Sequence, residues 1–323
     1  MSDVTADLVI VGAGPTGLYA AYYAGFRGLR VAVVDSLPEL GGQITAMYPE
    51  KAILDVAGFP SIKGRDLVEG LVTQAATGGP AYFLDRTAAT LEHGEDDVTL
   101  SLDDGTRIVA GAVIVTAGIG KFTPRPLPAG EGWLGRGLEF FVPSFAPYAG
   151  KDVVIVGGGD SAFDWAQHLE PVAGSVTLVH RRDAFRAHER TVAAVRASSV
   201  EIITRAQVTA LRGAGHLEEV EVAVDGEDPR VLPAQAVVAA LGFVADLGAI
   251  QQWGLTTSKR HVVVDSAMRT NLPRVFAAGD ITDYPGKVRL IAVGFGEAAT
   301  AVNNAAVVID PTAHVFPGHS SEA

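Results

Sequence analysis

The chain has 323 residues, enough for two domains, because single hydrophobic cores stop growing near this size. Hydrophobic residues make up 48% and charged residues 19%, an ordinary globular composition, while a net charge of −12 argues against nucleic-acid binding, which needs a basic surface. Cysteine is absent, which excludes a structural disulfide, a thiolate metal site and a redox-active dithiol. The apolar runs, such as Leu8–Val11 and Val153–Val156, are strand-sized and none approaches a membrane span. Met1–Asp7 carries two acids and no basic n-region, so it does not read as a signal peptide. The expectation is cytoplasmic residence with no membrane contact.

In chain order, Asp7-Leu-Val-Ile-Val11 reads as a buried strand. It turns through Gly12-Ala-Gly14-Pro-Thr-Gly17 into a helix that stops near Gly28, with Pro15 suited to the first helical position. A second strand, Arg30–Asp35, follows. Val98–Leu102 and Ala112–Gly118 flank an Asp104-Gly105 turn, a strong hairpin signal. The whole series then repeats. Asp152–Val156 leads through Gly157-Gly-Gly159-Asp-Ser-Ala162 into a helix reaching about Glu170-Pro171, then the strand Val176–His180. Val220–Val224, Asp225-Gly226 and Ala236–Gly242 repeat the hairpin. The expected fold is therefore α/β, with two Rossmann-like dinucleotide-binding domains of three-layer ββα form in tandem.

Beyond residue 245, His261–Asp265 and Arg274–Asp280 read as strands and Val293–Val308 as an Ala-rich helix, too little for a third domain. The chain is thus expected to leave the first domain, build the second and return. The boundaries expected are 1–118 with 246–323, and 119–245. Gly118-Ile-Gly120 and Gly242-Phe-Val are read as the crossing strands, with glycines able to hinge.

Chemistry resides in the two glycine turns. Gly12 permits the tight turn, Gly14 lets backbone approach a pyrophosphate, and Gly17 lets helix pack on strand, with the helix N-terminus facing the phosphates. Asp35 closes the second strand and can accept ribose hydroxyls, which suits FAD. At the second turn, Gly157, Gly159, Asp160 and Ser161 repeat the device, but the second strand ends in His180-Arg181-Arg182, with Arg186 beyond. Guanidinium groups pair with a 2′-phosphate that an acid would repel, so this site reads as NADPH. Gly279-Asp280 ends a later strand so that a carboxylate can reach a ribityl hydroxyl. The histidines lack metal-ligand spacing, and no metal is expected.

Two cofactor sites of these kinds describe a flavoprotein that moves a hydride from nicotinamide C4 to flavin N5, the cofactors carrying the chemistry. The chain resembles the thioredoxin-reductase-like flavoproteins along nearly its whole length. Members with a dithiol carry Cys-x-x-Cys before the second glycine turn; Leu138–Tyr148 here has none. Within that group the chain is similar to ferredoxin–NADP⁺ reductases of the thioredoxin-reductase type. The matching segments are Gly41–Lys51, Asp55–Pro60, Gly157–Ala162, His180–Glu189 and the tail Pro317–Ser321.

The resemblance implies that Thr16, Asp35, Gln43, Tyr48, Ala88, Phe122 and Asp280 contact FAD. It implies that Tyr48 stacks on one flavin face, that His319 covers the other, and that Ser321 lies near the ring. Ala88 departs from relatives, which commonly carry a larger aliphatic there. The resemblance further implies a homodimer and a ferredoxin or flavodoxin partner reduced one electron at a time. An acidic partner would need a local basic patch on this acidic body. The alternatives are a cysteine-free reductase of a small disulfide, quinone or ferric chelate, a flavin monooxygenase, and a non-catalytic flavin-binding scaffold.

Overall fold

Strands covered on both faces have no polar side to show, so their sequences read as unbroken apolar runs. In the computed structural model, which describes residues 3–316 and Gly318, such runs form the centres of two parallel sheets. The helices are α1 (Pro15–Phe26), α2 (Gln43–Met47), α3 (Gly64–Ala76), α4 (Asp160–Leu169), α5 (Glu189–Arg196) and α6 (Ile291–Ile309). The chain divides into two compact units, Met1–Phe122 with Ala245–Ala323, and Thr123–Val244. Residues 119–122 and Ala245 thus fall in the first unit, a shift from the boundaries expected above.

In the first unit five strands run parallel in the order Ala81–Phe83, Val31–Val34, Val4–Val11, Arg107–Val115 and Val275–Ala277. Val9 faces Ala32 on one side and Val113 on the other. Arg107–Val115 serves two layers. Its C-terminal half pairs with Val275–Ala277, and its N-terminal half pairs antiparallel with Val98–Leu102, which hairpins onto Ala88–His93. The turn between Val98–Leu102 and Arg107–Val115 holds Gly105 at φ +85°, the left-handed conformation an Asp-Gly turn needs. Leu8, Ile10, Leu18, Val33, Ile114 and Phe276 are fully buried between sheet and helices. Each such side chain contributes about 1.5–3 kcal/mol of burial free energy.

The second unit repeats the plan with a difference. Its parallel sheet runs Leu138–Glu139, Ala236–Ala239, Asp152–Val156, Ser175–Val179 and Glu201–Ile203. The flap of Ala206–Arg212, Glu219–Val224 and Arg230–Pro233 is here a separate antiparallel sheet. Ala234 and Gln235 separate Arg230–Pro233, whose last residue still pairs with Glu219, from Ala236–Ala239, whereas the equivalent strand of the first unit runs on unbroken.

Two sequence expectations are corrected. The first crossing strand is Lys121–Pro124, beyond the expected Gly118-Ile-Gly120, while the second, Phe243–Asp246, takes in Phe243 and Val244 as expected. Gly118 and Gly120 sit at φ +58° and +79°, and Gly120 N–H donates to the Ala117 carbonyl, so Gly118-Ile119-Gly120 is a turn before the strand. The second correction concerns α6. Its 19 residues with mean hydropathy 1.3 are long and apolar enough, by length and composition, to cross a membrane, contrary to the expectation that no run reaches that length. In the fold α6 packs on α1 and on Arg107–Val115, burying Gly294, Glu297, Ala298, Ala301 and Ala305.

Candidate functional site

The first glycine turn is shaped by what each glycine meets. Gly12 holds φ +115°, and a Cβ there would stand 2.6 Å from the Thr116 carbonyl oxygen. A Cβ on Gly17 would collide with the Gly12 carbonyl oxygen, so only glycine lets α1 sit this close to its strand. Gly14 N-caps α1, Pro15 opens it, and nothing lies within 4 Å of where a Gly14 Cβ would be. That open face and the N–H groups at the start of α1 form a cradle for an anion.

Asp35, at the end of Val31–Val34, secures this turn. Its Oδ2 accepts the Ala13 N–H at 2.6 Å and its Oδ1 accepts the Leu37 N–H at 2.8 Å. Burial pushes its carboxyl above the usual range, and those two amide donors pull it partly back.

Gly12, Gly14, Thr16, Asp35, Gln43, Tyr48, Ala88, Phe122 and Asp280 all line one cavity, within the first unit. Gly17 lies beneath the turn. Gly279 lies under Thr16, where an added Cβ would come 2.8 Å from Thr16 Oγ1. Gln43 opens α2 and Tyr48 ends it, its N–H donating to the Ile44 carbonyl. Burial pushes the Tyr48 hydroxyl up to about 12, helped by the charges of Asp280 and Asp55, so the phenol is neutral at physiological pH. Burial also raises the Asp280 carboxyl, with Lys287 and Arg289 opposing.

The cavity therefore offers N–H donors beside an open backbone face, and carboxylates at Asp35 and Asp280 that can accept hydroxyls. A diphosphate flanked by polyol groups matches that donor set, and FAD is such a molecule; the residues fit it. Sequence reasoning missed Arg86, which lines the cavity and pairs with Asp104 at 2.6 Å. It also missed Glu297, Lys287 and Tyr284, a hydrogen-bonded group beneath Gly279. An acid at helical spacing from Gly294, Ala298 and Ala301 was the available signal, since Glu is almost never buried unpaired.

In the second unit Gly159 N-caps α4 with the same open face, while a Cβ on Gly157 would stand 2.5 Å from the Ala240 carbonyl oxygen. Ala162 fills the helix-packing position and is fully buried. Asp160 and Ser161 begin α4. The basic loop folds back onto this turn. Arg186 N–H donates to the Gly158 carbonyl at 2.8 Å, and His188 N–H to Asp160 Oδ1 at 2.8 Å. The His180 ring lies against Gly158 and 5.5 Å from Phe185, which contacts Phe163 edge-on. Burial pushes its imidazole down, a backbone hydrogen bond at Ala184 opposes this, and Arg181, Arg182 and Arg186 add to the downward shift. Arg181 and Arg182 are exposed on the loop between these ties. His319 and Ser321 lie outside the described residues.

Residues 6–305 match the pyridine nucleotide-disulphide oxidoreductase family. A protein named ferredoxin–NADP reductase from Nocardioides sp. is 78% identical over 99% of this chain and 98% of its own length. One of the same name from Frankia alni is 64% identical over 97% of this chain and 98% of its own. Among solved structures, T. acidophilum thioredoxin reductase superposes with a TM-score of 0.77 at 25% identity, covering 96% of this chain and 99% of that one.

Proposed function

This chain belongs to the pyridine nucleotide-disulphide oxidoreductase family, and from that membership we propose that it is an FAD-dependent reductase passing electrons between NADPH and ferredoxin. The observation that carries this reading is the contrast between its two glycine turns. One is tied to a carboxylate, the other to an arginine loop, in a chain with no cysteine to relay electrons. When bound, FAD supplies the step between two-electron and one-electron chemistry.

The protein's own residues bind and orient. The N-terminus of α1 and Gly14 would hold the diphosphate, and Asp35 and Asp280 would accept sugar and ribityl hydroxyls. Tyr48, neutral and partly buried, would pack against the flavin and keep water from it. Arg181, Arg182 and Arg186 would grip the 2′-phosphate of NADPH. Flavodoxin as a second acceptor, a homodimer, a cytoplasmic location, and a tail that lays His319 and Ser321 over a flavin belong to the same proposal. They are supported by resemblance to relatives.

The test is stopped-flow reoxidation of NADPH-reduced, FAD-replete protein by ferredoxin, flavodoxin, a small disulfide, a quinone and a ferric chelate. Ferredoxin should reoxidise the flavin at least as fast as steady-state turnover; a quinone or chelate outrunning it many-fold would overturn the reading. With ferredoxin as acceptor, R181A/R182A should raise KM for NADPH about 10- to 100-fold, the value of one or two charge-assisted hydrogen bonds, and leave NADH unaffected. Equal losses for both nucleotides would remove the 2′-phosphate assignment.

A further inference from the structure

We propose that Glu297, with Lys287 and Tyr284, is a positioning group that fixes the two peptide groups flanking Gly279 so that Asp280 faces the cofactor cavity. The inference rests on the FAD reading of that cavity. Glu297 stands on α6, whereas Gly279 follows the strand Val275–Ala277. The carboxylate bridges them. Oε2 accepts the Gly279 N–H at 2.7 Å and faces the Thr282 hydroxyl at 3.4 Å. Oε1 accepts from the Tyr284 hydroxyl at 2.5 Å and from Lys287 Nζ at 2.5 Å. The far side of the same residue is held as well. The Gly279 carbonyl accepts from Lys287 Nζ at 2.9 Å and from Thr282 Oγ1 at 2.8 Å. Both polar groups of one glycine are thus fixed by side chains, at φ +84° and directly beneath Thr16.

Two arguments favour positioning over bulk stability. Lys287 and Glu297 are only 3% and 5% exposed, and a buried ion pair is often no more stabilising than apolar side chains of the same volume. Its location, under the residue preceding a cavity carboxylate, is then what the pair supplies. Further, with the Thr282 hydroxyl given to the Gly279 carbonyl, the three close partners of the Glu297 carboxylate, Gly279 N–H, Tyr284 OH and Lys287 Nζ, all donate. A carboxylate accepts from all three; a glutamine would turn an NH₂ toward the Gly279 N–H or toward Lys287.

The experiment titrates FAD into folded apo-protein, following flavin fluorescence, for the parent, E297Q, Y284F, D280A and the double variants with D280A. E297Q should weaken FAD about tenfold or more, and Y284F about threefold, the range of one lost hydrogen bond to a charged or buried partner. Because Glu297 acts through Asp280, either change added to D280A should cost little more, a non-additivity that a purely structural role would not produce. If E297Q does not fold, the Y284F–D280A cycle decides, since Tyr284 is only partly buried. Unchanged FAD affinity in a folded variant, or losses that add in full, would overturn the inference. A parent chain that takes up no FAD would instead sink the cofactor reading and this inference with it.

Discussion

Asp35 and Asp280 are carboxylates held in a cavity that raises both above the ordinary value of 3.8, chiefly by burial. A raised carboxyl binds its proton more tightly in the folded than in the unfolded chain. Its contribution to apo-protein stability is therefore full below 3.8 and is lost as pH rises through the folded value. Hydroxyl donors from FAD favour the ionised form, so FAD affinity should increase over the same window, from 3.8 upward. Calorimetric titration at stepped pH should show binding tightening from mild acid toward neutrality, with the slope largely lost in D35N/D280N. A flat profile in the parent would contradict the assignment. At this scale the glycines were legible because each meets a demand no other residue can: Gly17 against the Gly12 carbonyl, Gly12 at φ +115°. Glu297 was passed over although its spacing from Gly294 and Ala301, on a stretch read as an Ala-rich helix, puts it on the small-residue face that the fold buries.

The element that most changes meaning between sequence and structure is α6. Its small residues read as composition, and its length and hydropathy even match a membrane span. In the fold the alanines let it lie close to α1 and the sheet, where Ala298, Ala301 and Ala305 are fully buried. Ala301→Leu should therefore overpack the core and cost about 1–3 kcal/mol, seen as a lower Tm in a thermal melt of apo-protein. An unchanged Tm would mean that the contact is looser than described. The parallel strands were legible as apolar runs and the flaps by their Asp-Gly turns. The first crossing strand was misplaced because Gly-Ile-Gly carries no mark of left-handed backbone; only the fold requires Gly118 and Gly120 at positive φ.

For the molecule as a whole, the repeat of one plan in two units was legible, since each carries its own strand–glycine turn–helix series. The charge that ends the second strand differs between the two units, Asp35 in one and Arg181-Arg182 in the other, and the proposed division of FAD and NADPH between them rests on that difference. The electron acceptor was not, because a cysteine-free flavin site has the same interior whether it serves ferredoxin, a quinone or a chelate. Relatives at 78% and 64% identity carry that part of the account. The measurement that tests the central claim most directly is an anaerobic titration of the purified, FAD-replete chain, first with NADPH and then with oxidised ferredoxin, following flavin absorbance. NADPH should bleach the flavin stoichiometrically, NADH should do so far less readily, and ferredoxin should restore the oxidised spectrum. A colourless protein that takes up no FAD, or a reduced flavin that ferredoxin leaves bleached, would contradict it.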